Sequence, residues 1–252
     1  MVSASPLAFE CEKTGPSVSG RPLVLGHRGA SAHAGANSLE AFHLASDHGA
    51  DGIEFDVRFT ADDQPIVHHD AVIPGFGALI DHRLSDIRKA LPYIPMLDEV
   101  LAVPTSPLLN MEIKNDPADP DYDAHDRIAG LVADWVKSNG NGRQVLVTSF
   151  NAATIAHVRR FAPRVETGLL IGRRRGIRKT IVDASGAGTQ WVLPHHAALR
   201  FREKATNRLA RQLGLRLGTW TVDGPLELKR LRNGGVDAVI TNDPKRALAV
   251  YS

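Results

Sequence analysis

LVLGHRGASAHAGANSLEAFHLASDHGADGIEFDVRFTADDQPIVHHD, residues 23–70, sets the pattern of the chain. An apolar strand, LVLGH, ends in His27-Arg28-Gly29. An amphipathic segment from Ser38 to His48 follows, with Leu39, Phe42, Leu44 and Ala45 at its apolar positions. Asn37 stands where a helix N-cap belongs and Gly49 where a helix ends. Gly52 to Val57 reads as a second strand, and Pro65 to His68 as a short return.

The same alternation continues outward. Leu108–Lys114, Gln144–Ser149, Val165–Ile171, Gln190–Leu193, Leu215–Val222 and Val236–Thr241 read as further strands. Helical patterns over Met96–Val103, Tyr122–Ser138, Ala152–Phe161, Arg178–Ala184, Leu199–Leu213, Pro225–Asn233 and Pro244–Val250 punctuate them, and residues 71–95 read as an irregular excursion. Eight strands alternating with helices predict an α/β protein, a (β/α)8 TIM barrel with a small irregular insertion after strand two. An open doubly wound sheet would need a Gly-rich turn after its first strand to bind a nucleotide, and HRGASAHAG does not fit GxGxxG.

Composition agrees with one large globular unit. The chain has 252 residues, 43% hydrophobic and 23% charged, enough for one barrel of about 250 residues. We expect a loose lead-in over residues 1–21 and a single domain over 22–252. The net charge of +2 is too small to point to nucleic acid. Cys11 is the sole cysteine, so no intrachain disulfide can form. The opening MVSASPLAFECEKTGPSVSG lacks the basic start and apolar core of a signal peptide. No apolar run approaches the roughly 20 residues of a membrane span. A cytoplasmic protein is the expectation.

Two strands carry the chemistry. Glu54 and Asp56 are two apart and share one face, while Ile53, Phe55 and Val57 take the other. Asn110, Glu112 and Lys114 repeat this, with Leu109, Met111 and Ile113 opposite. Carboxylates held together need a cation or a proton between them, and their oxygens suit Mg²⁺ or Ca²⁺. Glu54, Asp56 and Glu112 are therefore candidate ligands of one divalent cation, and Lys114 a candidate partner of a phosphate oxygen. The bland alternative pairs these acids with Lys114, Arg28 or Arg58. In a barrel, however, all three acids stand at the strand ends where active sites lie. His27 and His69 flank them as candidate acid and base. The run RRRGIRK, Arg173 to Lys179, follows strand five, on the predicted rim, where it would attract anionic substrates or an anionic membrane surface.

HRGA, NSLEAF, GADGIEFDVRFTADDQPIVHHD, IPMLDEVL, MEIK, TSFN, TWTVD and GVDAVITNDP together resemble the glycerophosphodiester phosphodiesterases, over residues 23–246. The resemblance implies a barrel of the predicted kind, with His27 and His69 as the acid/base pair and Glu54, Asp56 and Glu112 around Ca²⁺ or Mg²⁺. It also implies that Arg28 and Lys114 hold the phosphate and that Trp220, with Phe150, lies against the substrate's alcohol. The implied reaction is metal-dependent hydrolysis of a small glycerophosphodiester to glycerol 3-phosphate and an alcohol. A phospholipase-D-like lyase on lysolipids or sphingomyelin is the sister alternative. A non-catalytic phosphoester-binding barrel is the alternative from another class. One position departs from the family: where its members usually show Pro-Glu-Asn-Thr, this chain has Gly35-Ala36-Asn37-Ser38, one acidic oxygen fewer near the metal site.

Overall fold

The structure is a computed structural model describing residues 20–103, 108–140, 143–173 and 176–252. Eight parallel strands form a closed ring: β1 (Leu23–His27), β2 (Gly52–Phe59), β6 (Leu108–Ile113), β7 (Gln144–Ser149), β8 (Glu166–Ile171), β9 (Trp191–Pro194), β10 (Arg216–Thr219) and β11 (Ala238–Thr241). The ring closes where β1 pairs with both β11 and β2. A ninth strand, β3 (Pro65–Val67), lies outside the ring and runs antiparallel to β2. It takes the edge of β2 from Val57 onward, above the point where β1 stops at the His27–Glu54 register pair.

Helices α1 (Leu39–Asp47), α3 (Arg127–Asn139), α4 (Ala152–Phe161), α5 (Ile177–Gly186), α7 (Glu203–Gln212), α8 (Pro225–Gly234) and α9 (Pro244–Tyr251) surround the ring. They pack on the outward rows of the strands. Ile53, Phe55 and Val57 meet Phe42 and Ala45 in the largest buried cluster, and the Phe42 and Phe55 rings lie 5.7 Å apart. The inward rows behave differently. Leu25, Leu108, Leu146, Leu170, Trp191, Leu193, Ala238 and Ile240 fill the barrel interior. Nearer the C-terminal ends the same rows turn polar: His27 follows Leu25, Asn110 and Glu112 follow Leu108, and Thr148 follows Leu146. The apolar plug closes the floor and leaves the site at the C-terminal mouth, as barrel architecture requires.

The predicted barrel is therefore present, with several local corrections. Residues 71–95 are more ordered than expected: β4 (Val72–Ile73) pairs with β5 (Gly77–Ala78), a 3₁₀ turn covers Leu79–Asp81, and α2 spans Leu84–Ala90. Met96–Val103 gives a 3₁₀ helix, Leu97–Ala102. The helix expected from Tyr122 begins only at Arg127, because Asp121, Asp123 and Asp126 spend their carboxylates on Arg58, Arg127, Asn115 and Thr154 in the preceding loop. The helix expected over Leu199–Leu213 breaks into α6 (His196–Leu199) and α7, with Phe201 between them in the left-handed region at φ 64°. Asn37 is not the cap of α1: Ser38 is, its hydroxyl accepting the Ala41 N–H. Of the expected lead-in, residues 1–19 lie outside the described residues; Arg21 pairs with Asp51 at 2.6 Å.

Gly29 shows why the turn after β1 reads His-Arg-Gly. Its φ is +84°, and a Cβ there would stand 2.5 Å from the Ala41 carbonyl carbon. Ala30 N–H bonds Ala41 O at 2.8 Å, so the turn sits directly on the α1 backbone. Gly29→Ala should lower stability by about 2 kcal/mol or more, from left-handed strain plus a backbone clash. Thermal or urea unfolding measures it, and an unchanged midpoint would refute the close approach.

Candidate active site

Register brings the acids together. β2 and β6 pair Glu54 with Asn110 and Asp56 with Glu112, while β1 pairs His27 with Glu54. All three carboxylates are buried, and one oxygen from each lies within 4.8 Å of the others. Lys114, just past the end of β6, stands 3.0 Å from Asp56 Oδ1 and also pairs with Glu112. Arg28 takes a left-handed backbone at φ 55°. Its N–H donates to Glu54 Oε2 at 3.0 Å. Its Nε stands 3.0 Å from Asp56 Oδ2 without hydrogen-bond alignment.

The bland pairing is thus partly realised, for Lys114 and Arg28. Arg58 is not part of it: its guanidinium turns to Asp121 and Asp119. The two cations do not discharge the cluster. Burial, reinforced by Asp56, pushes Glu54 up to about 8. Burial likewise raises Glu112 to about 7, against the pull of Lys114. For Asp56, burial works upward, but Lys114 and Arg28 outweigh it and hold the carboxyl down at about 2. Burial works to lower Lys114, yet Glu112 and Asp56 keep it above its usual range. Glu54 Oε1 is buried with no hydrogen-bond partner among the described residues. Three hard oxygen donors and an orphaned carboxylate oxygen fit a divalent cation of the Mg²⁺ or Ca²⁺ type.

The two imidazoles stand on opposite flanks. His27 lines a cavity of about 430 Å³ with Arg28, Ser31, Ala36, Asn242 and Arg246. His69 lines another of about 440 Å³ with Glu112, Lys114 and Phe150. Asp56 acts electrostatically on both rings. Burial lowers His27, although the Asn242 hydrogen bond pulls the other way. Burial and then Lys114 lower His69.

Each ring is oriented through Nδ1. Asp223 Oδ2 accepts from Asn242 Nδ2 at 2.6 Å, which turns Asn242 Oδ1 toward His27 Nδ1 at 2.7 Å. An amide oxygen only accepts, so His27 Nδ1 carries the proton and Nε2 keeps its lone pair. His69 Nδ1 meets Asp70 Oδ1 at 2.7 Å, with the same consequence. Phe150 lies edge-on to Trp220, with 5.4 Å between ring centroids, and 6.0 Å from Lys114 Nζ. Trp220 is anchored by its indole N–H to Leu193 O at 2.9 Å.

Several residues here were not singled out from sequence. Asn37 was read as a cap, but is buried and donates to Asp56 Oδ2 at 2.8 Å. Asn242 sat in a recognised motif without a role. Asp223 likewise closed the motif TWTVD without a role, whereas Asp119 and Asp121 gave no local signal, because their partner Arg58 is distant in sequence. Of the basic run, Arg173 and Arg178 are exposed, Lys179 pairs with Asp183, and Arg174 and Arg175 lie outside the described residues.

The parallel barrel thus carries a buried carboxylate triad at its mouth, with a lysine among the acids and an imidazole on either side. The sequence matches the Glycerophosphoryl diester phosphodiesterase family over residues 27–246, and the chain belongs to that family. It is 29% identical over 253 residues to a glycerophosphodiester phosphodiesterase of Caldanaerobacter subterraneus subsp. tengcongensis, covering 89% of this chain and 96% of that one. Its fold matches the crystal structure of a Thermotoga maritima glycerophosphodiester phosphodiesterase with a TM-score of 0.77 at 24% identity, over 91% of this chain and 98% of that one. It also matches an Oleispira antarctica phosphodiesterase in complex with the product sn-glycerol-3-phosphate, with a TM-score of 0.78 at 20% identity, over 92% and 97% of the two chains.

Glu54 and Glu112 titrate above their ordinary 4.5 in the metal-free fold. The folded state therefore binds their protons more tightly than the unfolded chain. Metal-free stability should be fully present below pH 4.5 and fall as pH rises through about 7 to 8. Asp56 acts oppositely, but only below its ordinary 3.8. A bound divalent ion should restore stability, more at pH 8 than at pH 5, and Glu54→Gln should flatten the metal-free slope. Thermal melts across pH with and without Mg²⁺ or Ca²⁺ check this; a pH-independent metal effect would refute it.

Proposed function

We propose that the protein hydrolyses glycerophosphodiesters to glycerol 3-phosphate and an alcohol, using His27 and His69 as its acid/base pair. The observation that carries this reading is the set of three buried carboxylates interleaved with Lys114 and flanked by two imidazoles each held through Nδ1. Glu54, Asp56 and Glu112 would hold one Mg²⁺ or Ca²⁺, which supplies Lewis-acid charge withdrawal from the phosphate oxygens.

The chain's own residues do the rest. Lys114 and the Arg28 guanidinium neutralise phosphate oxygens as negative charge builds in the transition state. One imidazole, neutral, accepts at Nε2 the proton of the attacking hydroxyl; the other enters the step as the imidazolium, protonated on both nitrogens, and gives its Nε2 proton to the departing alkoxide. In the family this attack resembles that of the neighbouring glycerol hydroxyl, giving a cyclic phosphate that water then opens. The Asn242–Asp223 pair and Asp70 keep Nδ1 occupied as a donor, so neither ring has to find its tautomer during turnover. Phe150 and Trp220 form a continuous aromatic wall suited to the alcohol. The sister reading, cleavage of lysolipids, uses the same residues and differs in what the wall receives.

Arg58 completes the assembly. It is buried on the same strand face as Glu54 and Asp56, donates from Nε to His69 O at 2.8 Å, and is gripped by Asp121 at 2.6 and 2.5 Å and Asp119 at 3.1 Å. A buried ion pair of this kind is weak evidence for stability; its geometric effect here is to fix the backbone that presents His69.

Turnover of glycerophosphocholine, compared with lysophosphatidylcholine and with a chelator present, tests the reading. Activity on glycerophosphocholine that chelation abolishes is the expected result, and turnover of neither substrate would overturn it. His27→Ala and His69→Ala should each lower kcat by at least ~10² with the fold intact; near-normal turnover of both would remove them from the chemistry. Arg58→Lys keeps the charge but loses the fork. It should lower kcat about 10-fold with KM little changed, whereas a purely structural arginine would change the melting temperature and leave kcat alone.

A further inference from the structure

One surface of the barrel is built against the ordinary rules of burial. Phe201 is 79% exposed and Leu226 is 80% exposed. Phe201 is also held at φ 64°, a backbone region unfavourable for a residue with a bulky side chain. Glu203 maintains it: its carboxylate accepts the Phe201 N–H at 3.0 Å and pairs with Arg230 at 3.2 Å. The ring is thus turned outward by a built contact.

Cations surround the two apolar side chains. Phe201, Arg202, Lys204, Leu226, Lys229 and Arg230 line one groove of about 580 Å³ between α7 and α8. The Arg200 guanidinium lies over the Phe201 ring at 4.9 Å. Arg200, Arg202, Lys204 and Lys229 are all exposed, and among the described residues none is in an ion pair. The acid in the groove, Glu203, is already paired. In a chain of net charge +2, this is a concentrated positive patch. It begins at the catalytic end of the barrel. Leu226 is in the first turn of α8, which follows the strand leading to Trp220.

We propose that this groove is a docking surface for an anionic phospholipid bilayer. Phe201 and Leu226 enter the headgroup layer, and the surrounding arginines and lysines pair with lipid phosphates. The composition favours a membrane over a protein, since two isolated apolar side chains ringed by like charges offer no continuous apolar interface core. It also favours a membrane over nucleic acid, since among the described residues lining the groove Phe201 is the sole aromatic ring, whereas strand binding stacks successive bases on several. The docking stands on the surface alone; the proposed function adds its purpose, holding the enzyme where lipid-derived phosphodiesters arise.

Co-sedimentation with phosphatidylcholine vesicles, with and without phosphatidylglycerol, tests the proposal. Binding should require the anionic lipid and weaken at high salt. F201S/L226S should bind at least ~10-fold more weakly while turning over soluble glycerophosphocholine like the wild type, which also certifies its fold. In F201W the new tryptophan's emission should shift to the blue on anionic vesicles only. No binding by the wild type, wild-type-like binding by F201S/L226S, or no spectral shift in F201W would each overturn the proposal. Failure of glycerophosphocholine turnover in wild type and variant alike would count against the catalytic reading and leave the vesicle result to be judged by itself.

Discussion

Three carboxylates that repel one another are forced together at the mouth of the barrel, and the surrounding structure is arranged around that conflict. Strand register fixes it: Asp56 and Glu112 are opposite partners on neighbouring strands, and Glu54 is one inward step below. Lys114 and Arg28 offset part of the repulsion and hold Asp56 ionised, while burial raises Glu54 and Glu112 well above the usual carboxylate range. The fold therefore holds ready a pocket of hard oxygen atoms, and its stability depends on what neutralises it.

Neighbouring elements are subordinate to the same constraint. β1 stops at His27 and β3 takes over the edge of β2, so that one imidazole enters from each side of the cluster. Asn37 closes the cluster from the α1 turn, with its amide on Asp56. Gly29 lets that turn lie on α1. The apolar floor of Leu25, Leu108, Leu170 and Leu193 supports the layer from beneath and excludes water there. Ala36 lies in the wall of the His27 cavity beside Arg28 and brings no charge to that side of the site.

Much of this was legible in the chain. Period-two patterns in GIEFDVRF and LLNMEIK placed the acids on one face and the apolar residues on the other, because strand alternation is a local property. The eight-fold alternation of strand and helix fixed the fold class for the same reason. Misreadings arose where a residue's partner is remote. Asn37 looked like a cap because Asn before a helix usually is one; the Asp56 carboxylate, nineteen residues on, claimed its amide instead. The helix read from Tyr122 failed because Asp121, Asp123 and Asp126 are committed to loop contacts that no periodicity reveals.

What the sequence determined by itself was the set of chemical groups and the face of each strand they occupy, since both follow from residue identity and a two-residue repeat. What only the tertiary structure decided was which groups touch. Closure of the ring brought β11 to β1 and so Asn242 to His27. Pairing of β10 with β11 set Asp223 behind Asn242, and pairing of β2 with β6 let Arg58 turn from the acids of its own face to the loop after β6. These contacts join residues tens to hundreds of positions apart, and they exist only once strand pairing has fixed the register between neighbours.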